Sequence, residues 1–153
     1  MQYSVSDLPA PLAMLHYYWE FKRGDRPAPS RADIDPVEMK DFLSNTMLID
    51  VVHSPESDMR FRMRLTGTHI VYALGFEFTG KFMDELDLGE ERDNLLCACG
   101  NIVSGIKPEY FTGKINHLAP KRQLFFKCLG VPLSSDGENV NIILVSALLE
   151  KRI

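Results

Sequence analysis

Several sets of residues in this 153-residue chain have the right types for chemistry. Cys97 and Cys99 have the spacing of a metal or redox pair. On a helix, residues two apart project to nearly opposite sides, and no second Cys or His pair completes a zinc-type site. One or both are therefore expected to pack as small hydrophobes. Asp33 and Asp35 offer two carboxylates for acid–base work, yet Asp35 precedes Pro36 as a helix N-cap would, and Asp33 stands near Arg31. A structural role is expected for both. His69, on a short predicted helix, could ligate iron through its imidazole. No histidine here has a ligand partner at motif spacing, so a hydrogen-bonded or capping histidine is the expectation. Arg60, Arg62 and Arg64 could clamp an acidic ligand. A solvated strand face explains them as well, and Arg64, nearest the following turn, is the best placed of the three for function. A Tyr, His and Asp set could transfer protons as small isomerases do, but no spacing forces such groups to converge.

The elements that must position these residues can be read from periodicity. Leu8, Leu12, Leu15 and Trp19 recur at helical spacing, while Met14, Tyr18 and Phe21 form a second apolar stripe. A helix apolar on two sides packs between two surfaces, either two sheets or a sheet and a partner chain. Gly24 is its expected cap. Asp35-Pro36 with Glu38 starts a short helix over 37–43, with Glu38 reaching back to the cap. Residues 46–53 and 59–66 read as an antiparallel hairpin. Within its second strand the three arginines alternate with Phe61, Met63 and Leu65, which suits a sheet edge. A Thr66-Gly67 turn leads to a short helix over 69–74 capped by Gly75. A further turn follows over 82–86, then a long helix over 89–104 closed by Gly105. Three strand-like runs follow at 109–116, 124–133 and 140–149. The last is apolar on both faces and should be central. Asp136-Gly137 marks a tight turn before it. The order of elements gives one α+β domain on one antiparallel sheet, with a helical lead-in over 1–45 and a sheet-and-helix core over 46–150.

Bulk properties narrow the class. A chain of this length buries enough apolar surface to fold without disulfide or metal. Net charge is −4 and the longest basic cluster is the pair Lys121-Arg122, so nucleic acid is not an expected partner. Three cysteines argue for a reducing compartment. Residues 1–7 lack the pattern of a secretory signal. The most apolar run is shorter than the ~20 residues a membrane helix needs. A cytoplasmic protein without membrane insertion is expected.

One resemblance joins these observations. The residues that carry it are Tyr18-Trp19, Arg23-Gly24, Pro29-Ser30-Arg31, Asp33-Ile34-Asp35-Pro36, Phe61-Arg62 and Arg64-Leu65-Thr66-Gly67-Thr68. Gly75, Thr79-Gly80, Gly105, Pro132-Leu133-Ser134 and Asp136-Gly137 continue the set. In this order they resemble the small stand-alone PAS-like proteins of bacteria, a divergent branch of the PAS family, over about residues 15–149. The resemblance implies a five-stranded antiparallel sheet in the order 2-1-5-4-3, with helices over one face enclosing a small pocket. It also implies dimerisation through the N-terminal helix, for which Leu12, Leu15 and Trp19 are the interface candidates. The pocket candidates are Arg64, His69, Tyr72, Phe78, Phe82, Tyr110 and Phe125. No flavin-binding Asn-Cys-Arg-Phe-type sequence surrounds any cysteine, so flavin is not expected, nor are haem and metal. The expected function is a non-enzymatic sensory or interaction module that takes a small apolar or amphipathic ligand and signals through a partner protein. The alternatives are a small isomerase-like acid–base enzyme and a ligand-free adaptor.

Overall fold

Alternation of apolar and polar side chains brings five segments into one antiparallel sheet: β1 (Thr46–Ser54), β2 (Ser57–Thr66), β3 (Glu109–Ala119), β4 (Arg122–Leu133) and β5 (Ile142–Arg152). The structure, a computed structural model, describes residues 3–55, 57–119 and 122–152. Met1, Gln2 and Lys121, which figure in the expectations above, lie outside the described residues, as does the side chain of Arg122. Strand order is β2-β1-β5-β4-β3, the expected one. Residues 142–147 are buried without interruption, because β5 is paired on both sides and covered on both faces. β2 takes an edge. Arg62 and Arg64 there share the buried Asp50 of β1, at 3.1 Å each. Arg60, of the same parity, pairs elsewhere and reaches Asp84 with two bonds of 2.8 Å.

Each sheet face carries its own core. The inner face, with Ile49, Phe61, Met63, Ile115, Phe126 and Val145, packs under α2 (Thr68–Leu74), a turn at Met83–Glu85 and α3 (Glu91–Gly105). On the outer face, Leu48, Leu129, Val131, Leu133 and Leu144 pack against α1 (Ala10–Arg23) and the Pro-rich connector behind it. α1 ends where expected, at Gly24 with φ 58°.

Two local expectations are corrected. The helix expected over 37–43 is a 3₁₀ turn, Pro36–Met39, followed by a second at Leu43–Asn45. Asp35 does accept the Val37 N–H at 3.0 Å, but Glu38 turns outward to Tyr18 and Lys22 instead of closing a capping box. α3 runs through Gly105, and the left-handed residue at its end is Ile106, φ 49°. Among the described residues, no helix is long and apolar enough to cross a membrane.

Candidate functional site

The strand β2 must turn sharply to let α2 fold back over the inner face, and Gly67 makes the corner. Its N–H donates to Thr46 O at 2.8 Å, and its carbonyl accepts from Ile70 and Val71 to start α2. A Cβ at this position would collide with the Ser44 carbonyl, so close approach, not unusual φ, demands glycine. Gly75, at φ 85°, then stops α2 after two turns. The chain leaves it as Phe76 and Phe78, which tilt against each other at 5.5 Å. The result is a short, bent cap resting on the sheet.

Between cap and sheet lies a hollow of about 80 Å³. Its floor is Met47, Ile49, Met63, Val145 and Ala147, with Phe111, Ile115, Leu124, Phe126 and Cys128 toward the β3 side. Its roof is Ile70, Leu74, Phe76, Phe78, Met83 and Leu86, and Leu95 and Cys99 of α3 close one wall. All of these side chains end in carbon or sulfur. An engineered apolar cavity of about 150 Å³ takes up benzene or xenon while staying dry. The present hollow is smaller, but three flexible methionines line it, and methionine repacks readily around a guest.

Burial fixes the chemistry of its two thiols. The Cys99 thiol is pushed up to about 12 by burial alone. Burial, with Cys99 nearby, drives the Cys128 thiol up as well. Both remain protonated at neutral pH and are weak nucleophiles. Cys97 is exposed while Cys99 is buried, the opposite orientation that helical spacing requires.

Of the pocket candidates named from the sequence, only Phe78 lines the hollow. His69 is exposed at the start of α2, its Nδ1 3.1 Å from Asn45 Oδ1 and 3.3 Å from Ser44 Oγ. Tyr72 points outward at 81% exposure, with the Lys151 ammonium 5.2 Å from its ring centre. Phe82 lies at the β2 edge beneath the Arg60 guanidinium, 3.8 Å away. Arg64 is spent on Asp50. Tyr110 and Phe125 fall on the outer face, against Tyr3 and Arg152 respectively.

For the last two the reason is strand parity. A shift of one residue moves a side chain through the sheet. Phe111 and Ile115 face inward on β3, and Leu124, Phe126 and Cys128 on β4. The signal was present in the polar partners. Thr112 and Lys114 share the parity of Tyr110, and Lys127 shares that of Phe125, so these rows belong outside. The methionines gave no comparable signal.

Leu12, Leu15 and Trp19 also require correction as interface candidates. All three are buried against the chain's own sheet, and Trp19 Nε1 donates to Pro132 O at 2.7 Å. The stripe of α1 left open is Met14, Tyr17 and Phe21. Tyr18, expected in that stripe, instead donates to Glu38 Oε1 at 2.9 Å and accepts the Asp35 N–H at 3.0 Å.

Asp33 and Asp35 are structural. Asp33 Oδ2 accepts from Ser30 N, Ser30 Oγ and Arg26. The Ser30 N–H and the Arg26 guanidinium hold its carboxyl below the usual range. Its ion-pair partner is Arg26, while Arg31 donates to Ile34 O.

Five strands in this order, a short-helix cap and a hollow between them are what the resemblance implied. A family model described as PAS domain matches residues 8–146. The chain belongs to the PAS family. That match spans both the outer helical layer and the PAS core, so α1 and its connector lie within the family pattern. No curated protein matches this PAS chain.

Proposed function

We propose that this PAS domain is a non-enzymatic sensory module whose hollow receives a small apolar ligand, or the apolar end of an amphipathic one. The observation that carries the reading is the hollow itself: a space of about 80 Å³ with no polar side chain in its lining. A polar group sealed there without a partner would cost roughly 2–7 kcal/mol, so the pocket selects hydrocarbon. Among the described residues, no carboxylate, imidazole or hydroxyl side chain lines the space, so the hollow offers an acid–base enzyme no working groups. The residues present do not fit haem or flavin. Among the described residues, no imidazole faces the hollow, and nothing polar lines it to bond an isoalloxazine ring or a phosphate.

A ligand changes the state of such a module only through its difference in affinity between two conformations. The element that can supply two conformations is the cap over residues 69–86, made of α2 and a 3₁₀ turn, interrupted by positive-φ glycines at Gly75 and Gly80 and followed by another at Gly89. Output passes to a partner protein in the cytoplasm, a reducing compartment in keeping with the cysteine usage. The protein acts as a homodimer joined along the open stripe of α1, where Tyr17 is 64% and Phe21 80% exposed. Native mass spectrometry after gentle purification tests the ligand. A mass above that of the polypeptide, or a thermal shift with apolar members of a metabolite panel, is expected. A bare mass with no shift across the panel would leave a ligand-free adaptor.

A further inference from the structure

The two edges of the sheet are finished differently. At β2, the Met63 N–H donates to Lys81 O at 2.8 Å and the Met63 carbonyl accepts from Gly80 N, while Arg62 bridges Phe82. The returning chain thus seals the middle of that edge, and arginines guard the rest. β3, eleven residues long, shows no such cover over residues 110–116 among the described residues. Among the described residues, no backbone hydrogen bond runs from residues 110–116 of β3 to anything except β4. The backbone groups on its far side therefore form an open template for another strand.

What borders this edge decides what it would accept. The outer face beside Thr112 and Lys114 of β3 is bordered by Pro9 at the start of α1, and its rows can be read from the register. Thr112 pairs with Lys127, which pairs with Leu148, and Lys114 pairs with Phe125, which pairs with Glu150. Gln123 pairs with Arg152. Thr112, Lys114, Phe125, Lys127, Leu148, Glu150 and Arg152 line a groove of about 570 Å³ that crosses β3, β4 and β5, with Pro9 and the Glu91 carboxylate on its border. Three cations stand in it, and Glu150 is already bonded to Arg152 at 3.1 Å. Arg152 also lies over the Phe125 ring at 4.1 Å. On the inner side of the same edge stand Phe111, Ile115 and, over Gly113, the Glu91 carboxylate.

We propose that the β3 edge accepts an extended segment of a partner protein as a sixth strand. That segment carries acidic residues at every second position, facing Lys114 and Lys127, and apolar residues between them, facing Phe111 and Ile115. Main-chain bonds supply affinity, and the alternating side chains supply selection. A second copy of this chain is a poor occupant. Twofold pairing of β3 with itself would set two identical cationic strips side by side on one face. Lys114 thus guards the edge against self-pairing while selecting an acidic guest.

The test uses the full chain with a synthetic peptide of alternating Glu and Val, and a Lys and Val peptide as control. Binding is followed by backbone amide shifts and fluorescence anisotropy at low and high salt. The Glu peptide should perturb amides of residues 110–116 and weaken with salt. The double variant Lys114→Glu, Lys127→Glu changes exposed side chains only. It should lose about tenfold in affinity for the Glu peptide and favour the Lys peptide. Equal binding of both peptides, perturbations centred on β2 or α1, or no binding of the Glu peptide would overturn the proposal. Protection of the β3 edge within a homodimer would overturn it too.

Discussion

Ser146 on β5 is fully buried, and among the described residues its Oγ is the one buried side-chain polar atom without a hydrogen-bond partner. Its desolvation is uncompensated, so Ser146→Ala should leave stability unchanged or raise it by about 1–2 kcal/mol in chemical denaturation. A clear loss would mean that the hydroxyl has a partner. Asp136 is the opposite case. Its carboxylate accepts the Asn139 and Glu138 N–H groups at 2.8 Å each, and the side chains of Asn139 and Ser134. These bonds, led by the Asn139 N–H, hold its carboxyl far below the ordinary carboxylate range. A folded-state value below the unfolded one stabilises the protein above the unfolded pKa of about 4, and that stability drains away as pH falls further. Asp136→Asn should therefore lower the denaturation midpoint at neutral pH, with the gap to the parent narrowing below about pH 4. A pH-independent gap would contradict the assignment. The sequence showed Asp136-Gly137 as a turn, and Gly137 has φ 79°. It did not show that one carboxylate organises the loop, because those partners are backbone groups that converge only once the loop is folded. At the hollow, Phe78 was legible, whereas Tyr110 and Phe125 were assigned to the wrong side by one residue of register.

Two elements hold the layers together, and each depends on one residue. α1 is tied to the sheet through the buried Trp19 indole, which donates to Pro132 O. Trp19→Phe keeps the ring burial but strands that carbonyl, and should cost about 1–3 kcal/mol in denaturation experiments. A neutral result would show that the bond contributes little. The β2–α2 corner depends on Gly67, and Gly67→Ala forces a Cβ into the Ser44 carbonyl. Its cost should exceed about 2 kcal/mol, with faster amide exchange concentrated in α2. Uniform exchange, or none, would place the strain elsewhere. The Thr66-Gly67 turn was visible in the sequence, as was the helix after it. The contact that makes glycine necessary was not, since Ser44 approaches from more than twenty positions earlier in the chain. Periodicity also located α1 correctly but not its free side. Tyr17, outside both stripes read from the sequence, is exposed, while Tyr18 is drawn to Glu38.

Across the whole molecule, strand order was the most legible feature. Uninterrupted apolar character placed β5 at the centre and alternating arginines placed β2 at an edge, and the sheet has both. The hollow was less legible, because methionines and leucines give the same sequence pattern whether they fill a core or surround a space. If the open stripe of α1 joins two copies, Phe21→Asp should shift sedimentation from dimer to monomer without lowering the unfolding midpoint. Unchanged sedimentation would remove α1 from the interface. The apolar chamber itself is tested most directly by methyl NMR of the methionines under xenon or with benzene. Shifts are predicted for Met47, Met63 and Met83, which line the hollow, with Met14 on the surface and Met39 in the outer core unmoved. Equal shifts at all five, or none at the lining three, would contradict it.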